Sequence, residues 1–349
     1  MKTRAMKIGN LDIGGGSRVL VQSMTNTDTR NVAETLEQIH ALAAAGCDLV
    51  RVSVYDEECV RAVRDLVDGS PVPLVADIHF DHRLAIGAVE NGIAKLRINP
   101  GNIGGEENVR RVADAARMHH VPIRIGVNAG SLEKDIVERD GGRTAQGMVD
   151  SALRHAAMLE KAGFGDIVLS LKCSDVPMTV AAYRMAAQKC DYPLHLGVTE
   201  AGLPGRGSIK SAIGIGALLL DGIGDTVRVS LTGSPLPEAQ AAIDILRAVG
   251  LRGGARFVSC PTCGRTRIDV NAIAQQVEQA FAGCTKDVTI AVMGCVVNGP
   301  GEARDADFAL CGGVNCGALY IRGQFVKKLT GDIAAEFIRI VREAMNDIY

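Results

Sequence analysis

The chain has 349 residues, a net charge of -2, ten cysteines and no tryptophan. That length allows roughly two domains, one of roughly 200–250 residues, and the weak charge argues against nucleic acid as the main partner. No apolar run reaches ~18 residues, and the opening MKTRAMKIGN leads into no apolar signal core, so a soluble, cytoplasmic protein with no membrane association is expected.

The first 235 residues repeat one theme: a short β-branched or Leu-rich run, a polar loop, then an Ala-rich amphipathic stretch. The runs are VLVQSMT (19–25), LVRVSV (49–54), PLVADIH (73–79), AKLRIN (94–99), PIRIGVN (122–128), DIVLSLK (166–172), LHLGVT (194–199) and TVRVSL (226–231). Their starts lie 21 to 44 residues apart, room for a helix each time. NVAETLEQIHALAAAG and QGMVDSALRHAAMLEKAG have helical spacing and end in glycine, as a C-terminal cap does. Strands alternating with helices imply parallel pairing, and eight such units predict a TIM (β/α)8 barrel over 1–250. A doubly wound open sheet is the alternative, but no G-x-G-x-x-G follows the first run. IGGG (13–16) precedes it and reads as a turn.

SPLPEAQAAIDILRAVGLRGG reads as the eighth helix and a linker, with a break near Leu251–Gly254. A smaller α/β domain over 255–349 follows: strand RFVS, loop CPTCGR, helix DVNAIAQQVEQAFAG, strand VTIAVM, loop GCVVNGPGEA, strand DFAL, and a hairpin in ALYIRGQFVKKL. A last helix has Ile333, Phe337, Ile340, Val341, Met345 and Ile348 on one face.

Active sites of such barrels lie at the C-terminal ends of the strands. Arg51, Arg97, Arg124, Lys172 and Arg228 each fall in or at the end of a different predicted strand, among apolar neighbours. Charges in such runs are rarely buried unpaired, because desolvation costs several kcal/mol. Pairing with Asp77, Glu200 and other carboxylates accounts for single cases, but these strands supply fewer acids than bases. Five cations at one mouth suit a polyanion such as a phosphate or diphosphate ester. Asp77, His79, Asn99, Asn128, His195, Thr199, Glu200 and Ser230 also fall near strand ends. Asp77 and Glu200 are candidates to move protons or to orient the arginines.

Six of the ten cysteines lie in the last 90 residues. After Cys260-x2-Cys263 come 31 intervening residues, then Cys295, and then Glu302. Three chemistries fit this spacing. One is structural zinc, with Cys311 or Cys316 as a fourth thiolate. Another is a redox dithiol at Cys260 and Cys263. The third is an iron–sulfur cluster on three thiolates with an oxygen ligand on the remaining iron.

SCPTCGR (259–265) and AVMGCVVNGPGEA (291–303) resemble the 4-hydroxy-3-methylbut-2-enyl diphosphate synthase family, in its compact bacterial form. So do VQSMTNTDT (21–29), VADIHF (75–80), LRINPGNIG (96–104), LHLGVTEAG (194–202) and VRVSLTGSP (227–235), and the likeness runs nearly end to end. It implies reductive ring opening of 2-C-methyl-D-erythritol 2,4-cyclodiphosphate in isoprenoid precursor biosynthesis. It also implies a [4Fe–4S] cluster on Cys260, Cys263, Cys295 and Glu302. Arg51, Arg97, Arg124, Asn128, Lys172, Arg228 and Ser230 would grip the diphosphate, and Glu200, Asp77 and Glu302 would be catalytic. Flavodoxin or ferredoxin would give the electrons, and a head-to-tail homodimer would bring each cluster domain to the partner's barrel. The resemblance assigns no role to Cys284, Cys311 or Cys316, which read as structural. On the residues alone, a zinc-stapled sugar-phosphate isomerase or aldolase is the alternative.

Overall fold

The computed structural model describes residues 2–348, with side chains described as far as Met345; Ile348, expected on the apolar face of the last helix, lies outside these side chains. The chain divides into two compact units, Met1–Leu251 and Arg252–Tyr349.

The first unit opens with an antiparallel hairpin, β1 (Met6–Ile8) and β2 (Leu11–Ile13). Eight parallel strands follow: β3 (Leu20–Met24), β4 (Leu49–Ser53), β5 (Leu74–Asp77), β6 (Lys95–Ile98), β7 (Ile123–Asn128), β8 (Ile167–Lys172), β9 (His195–Leu196) and β10 (Thr226–Val227). Their order is β8-β7-β6-β5-β4-β3-β10-β9, and a parallel bridge from Leu169 to Leu194 joins the two ends. This is the expected barrel. The helices that follow the strands are α1 (Val32–Ala44), α2 (Glu57–Gly69), α3 (His82–Glu90), α4 (Glu106–Met118), α5 (Lys134–Asp140), α6 (Ala145–Lys161), α7 (Val176–Lys189), α8 (Arg206–Leu220) and α9 (Leu236–Ala248). Several start on a side-chain cap in the loop after a strand: Asn31, Asp56, Asp81, Thr144 and Asp175 each accept a backbone N–H of the first turn.

Alternation along the strands sorts their residues into an outer and an inner set. Val50, Val52, Ala76, Ile98, Ile123, Ile125 and Leu169 pack in the main core, which they share with helix residues. The inner set is layered. Leu20, Leu49, Val75 and Val168 form the lowest layer and pack against Ile8 and Ile13 of the hairpin, which plugs this end. Sequence reading missed the hairpin, because strands of three residues are too short for a period-two pattern. Two residues further along the strands, the inner positions turn polar: Gln22, Arg51, Asp77 and Ser170 are all buried or nearly so. Small-barrel interiors are ordinarily filled by branched apolar side chains, so the departure marks the functional end.

The second unit is a five-stranded mixed sheet in the order β11 (Ala255–Ser259), β12 (Val288–Met293), β13 (Phe308–Gly313), β14 (Cys316–Ile321), β15 (Gln324–Leu329). β11, β12 and β13 are parallel; β14 and β15 continue antiparallel. Two long helices, α10 (Val270–Phe281) and α12 (Ile333–Ile348), cover it, with Val277, Phe281, Phe337 and Val341 in its core. One turn of helix, α11 (Gly299–Glu302), forms within the loop after β12, where sequence reading expected only a loop.

Candidate active site

The barrel mouth gathers the expected cations. Arg51, Arg97, Arg124, Lys172 and Arg228 line a single cavity of 120 Å³, together with Asn128 and Ser230. Strand register explains the convergence: Arg97 is paired with Asp77 on one side and with Arg124 on the other, and Asn128 with Lys172.

Asp77 is the acid in this wall. Its carboxylate lies 3.0 Å from Arg97 Nη1, 3.8 Å from Arg51 Nε and 3.4 Å from His79 Nε2. Burial alone would raise its pKa, but the opposing pull of Arg51, the His79 hydrogen bond and Arg97 holds the carboxyl well below the usual carboxylate range. Asp77 is therefore ionised at neutral pH, which suits the second of its two expected roles, orienting the arginines, better than donating a proton. The geometry makes it the group that orients two arginines. A second acid, not anticipated from the strands, enters from the first turn of α9: Glu238 lies 3.3 Å from Arg228 Nη2 and accepts from Leu231 N and Ser23 Oγ.

The cations still outnumber these acids. Arg124 is 1% exposed, and among the described residues its Nε and Nη2 have no hydrogen-bond partner; Arg97 Nε has none either. Burial, with Arg51 and Arg97 nearby, lowers the Arg124 pKa. Arg51 is drawn down to about 10 by burial, against the pull of Asp77. Lys172 is held well below the ordinary lysine range by burial and by Arg124, Arg228 and Arg51; among the described residues its only hydrogen-bond contact is His195 Nε2 at 3.3 Å. His195 is not at the mouth: it is wholly buried, with Nδ1 2.7 Å from Thr226 Oγ1.

Glu200 lines a different, larger cavity of 650 Å³ that shares Asn128 and Thr199 with the cation cavity and is walled further by Arg143 and Ser131. Its φ of 52° is a left-handed conformation that a non-glycine residue adopts at a cost of about 1–3 kcal/mol. Glu200 stands beside the cation cavity and not in its wall.

In the second unit, Cys260 follows β11 and Cys295 follows the neighbouring β12, so parallel pairing sets the two loops side by side. Cys260 Sγ accepts Gly294 N–H at 3.1 Å, and Arg267 N donates to Gly294 O at 2.8 Å, tying one loop to the other. Thr266 closes the Cys263 turn by accepting Cys263 N–H at 3.1 Å. The backbone N–H groups of Asn298, Val297 and Gly299, with Arg265 nearby, lower the Cys295 pKa, as thiolate ligation requires. Glu302 ends α11 and is exposed. Among the described residues, no three His, Cys, Asp or Glu side chains are gathered closely enough to hold a metal ion. The donor set itself, three free thiols and a carboxylate with N–H groups aimed at sulfur, fits an iron–sulfur cluster. Cys311 is buried behind these loops, and its thiol is pushed up to about 12 by burial and by Cys295 and Cys260, as suits a protonated core residue.

The sequence profile of the GcpE TIM-barrel domain matches residues 3–243, and that of the GcpE protein C-terminal domain matches residues 256–343. A protein of Clostridium perfringens named 4-hydroxy-3-methylbut-2-en-1-yl diphosphate synthase (flavodoxin) is 52% identical over 342 residues, 97% of this chain and 98% of that protein. Proteins of the same name are similar at 53% identity: one from Caldanaerobacter subterraneus covers 98% of each chain, and one from Geobacter sulfurreducens covers 99% of this chain and 98% of its own. Among solved structures, Yersinia pestis dihydropteroate synthase matches with a TM-score of 0.50 at 16% identity, over 70% of this chain and 97% of its own. Geobacillus kaustophilus 3-dehydroquinate dehydratase does so with 0.50 at 14%, over 71% and 98%. These two share the fold alone.

Proposed function

The chain belongs to the GcpE family, and from that membership we infer that it is a 4-hydroxy-3-methylbut-2-en-1-yl diphosphate synthase. It reduces 2-C-methyl-D-erythritol 2,4-cyclodiphosphate to (E)-4-hydroxy-3-methylbut-2-enyl diphosphate. The ring C–O bond breaks, a hydroxyl leaves as water, and two electrons with their balancing protons enter. A zinc-stapled isomerase or aldolase is not favoured by relatives of this name at about half identity and near-full length.

The observation that carries the substrate half is the cation excess at the mouth. Arg51, Arg97, Arg124 and Arg228 face one cavity with only Asp77 in its wall and Glu238 behind it. Buried guanidinium N–H groups without partners are costly unless an acceptor arrives. A cyclic diphosphate offers acceptors of the right charge, and arginine forks bind phosphate oxygens in pairs. Asn128 and Ser230 add neutral donors, and Lys172 reaches the anion from the strand beside Asn128. Asp77 fixes Arg51 and Arg97 in place before substrate arrives, so little order is lost on binding. Glu200, at the edge of the shared wall, is the remaining candidate for proton transfer.

Residues 1–250 thus act as the substrate domain and 255–349 as the cluster domain. A [4Fe–4S] cluster on Cys260, Cys263, Cys295 and Glu302 would supply single electrons and an iron whose oxygen ligand can be displaced. The chain's own part there is to keep Cys295 as thiolate through the N–H groups of α11's leading turn, and to hold the two loops together through Arg267 and Gly294. Flavodoxin is the donor in the names of the relatives; ferredoxin is the other carrier of suitable potential. A head-to-tail homodimer is supported by exposed apolar side chains at both places it would join. Phe80 and Leu203 stand in loops after β5 and β9, and Val296 and Val297 stand beside Cys295. The site of action is the cytoplasm. Among the described residues, no helix is long and apolar enough to cross a membrane.

Anaerobic purification followed by turnover of the cyclic diphosphate tests this reading. A brown protein bleached by dithionite, and active with a reduced one-electron donor, is expected. A colourless protein with stoichiometric zinc, or a brown one that leaves the cyclic diphosphate intact, would refute it.

A further inference from the structure

Lys95 lies on the same strand as Arg97, two residues earlier, so its side chain projects from the same inner face roughly 6.6 Å nearer the plugged end. It is wholly buried, and among the described residues its amine makes one hydrogen-bond contact, to Gln22 Oε1 at 3.1 Å. Among the described residues, no carboxylate lies within ion-pair distance of it. The nearest acid of the wall, Asp77, is engaged with Arg51, Arg97 and His79, and Glu238 is engaged with Arg228. Lys95 does not line the cation cavity, yet Arg124 and Arg51 act on it from above, and it in turn acts on His195.

A charged amine in that position would cost several kcal/mol without a counter-ion. Burial first, then Arg124 and Arg51, hold its pKa well below the ordinary lysine range. The groups that face it are Arg51 on β4, Arg124 on β7, His195 on β9 and the neutral Gln22 on β3. Of these only the Gln22 amide oxygen, which accepts from Nζ, favours the ammonium form, and as a neutral group it does not offset burial and the two guanidinium charges. An anion settling among Arg51, Arg97 and Arg124 reverses the balance, because its charge offsets the repulsion those arginines exert on the layer beneath.

We propose that Lys95 is a proton-accepting positioning residue of the anion site: buried without a counter-ion one layer beneath the arginines, it takes one proton from solvent when a diphosphate anion fills the mouth. The inference rests on the reading of the mouth as a diphosphate site and deepens it. Protonated Lys95 extends the positive charge below the substrate without touching it. Binding and proton uptake are then linked, and affinity rises as pH falls through the range where the free and occupied sites differ in protonation.

The test is calorimetric titration of the cluster-loaded protein with the cyclic diphosphate, without an electron donor, in two buffers of different ionisation enthalpy. The wild type should take up more protons per bound ligand than Lys95→Met, by close to one. Lys95→Arg, which keeps a donor for Gln22 but cannot change protonation, should lose the same proton, so a poorly folding Lys95→Met does not end the test. Uptake that remains belongs to groups that line the cavity, Lys172 among them. Equal uptake in the wild type and in whichever variant folds would overturn the proposal and leave the diphosphate site standing. A wild-type Kd that does not vary from about pH 6 to about pH 9 would also overturn it. Failure of the wild type to bind the cyclic diphosphate at all would remove the site and the proposal together.

Discussion

Arg97 and Asp77 stand side by side on neighbouring strands, Nη1 3.0 Å from Oδ1, and both are at least nine-tenths buried. Removing the charge of one partner leaves the other exposed to its full desolvation penalty. Asp77→Asn should destabilise the barrel by up to about 3–5 kcal/mol, toward the lower figure because the mouth opens to solvent. The pH dependence has a definite sign. The folded-state pKa of Asp77 lies below its unfolded value. Its contribution is therefore complete above about pH 4 and is lost as pH falls further, through the folded value. Denaturant midpoints at neutral and at strongly acidic pH should differ less in Asp77→Asn than in the wild type. An equal acid loss in both would show that Asp77 contributes nothing to it.

Gly126 shows how closely the mouth is built. A Cβ added there would lie 2.5 Å from Arg97 Nε, and the Gly126 carbonyl already accepts from Arg97 Nη2 at 3.3 Å. The clash falls on the end of a flexible side chain, so Gly126→Ala should fold nearly as well as the wild type. The displaced guanidinium should weaken substrate binding by about tenfold, near 1.4 kcal/mol. Titration calorimetry and thermal melting on the same sample check both halves. Unchanged affinity would mean that Arg97 does not need its present position.

The eight barrel strands were legible because each is a run of apolar residues long enough to stand out between turns. Arg51, Arg97 and Arg124 were legible because a charge inside such a run demands an explanation. Asp77 was legible as a site residue, but the choice between moving protons and orienting arginines depends on two arginines brought beside it by strand register. Glu238 was hidden because it arrives from a helix, in a proline-flanked first turn that reads as an ordinary acidic helix start. The inner layering was hidden as well: Lys95 stands two residues from Arg97, but only closure of the barrel puts both on one inner wall. In the cluster domain the thiol spacing was plain in the sequence. The N–H groups aimed at Cys295 depend on α11, a helix of four residues whose glycines and proline read as loop.

Lys172→Ala removes a buried amine whose only hydrogen-bond contact among the described residues is neutral His195, so stability should be held or improved. Substrate binding should weaken by about 1.5–3 kcal/mol, the loss of one desolvated charge-assisted contact. Equilibrium binding of the cyclic diphosphate measures this, and an unaltered Kd would mean that Lys172 does not meet the anion.

Cys295→Ser removes the thiol whose thiolate is favoured by the N–H groups of residues 297–299. The expected outcome is loss of bound iron, of the broad visible absorption and of turnover. The barrel has its own core, so its melting transition should stay where it is. Iron content at the wild-type level would contradict the ligand assignment. A lost barrel transition would mean that the cluster loops support the first unit's fold.

Glu302 offers the sharpest separation of structure from chemistry. It is exposed at the end of α11 and makes no side-chain hydrogen bond or ion pair among the described residues. Exposed positions of that kind change stability by no more than about 0.5 kcal/mol. Glu302→Gln keeps the shape and removes the negative charge, so melting of the cluster-free protein should be unchanged whatever Glu302 does. If its carboxylate completes the cluster, the variant should hold iron less firmly and turn over more slowly, while substrate affinity at the barrel mouth stays the same. The three measurements then part the alternatives. Normal iron retention with normal kcat would leave Glu302 a solvated loop residue. Normal iron with a reduced kcat would keep it in catalysis but remove it from the ligand set.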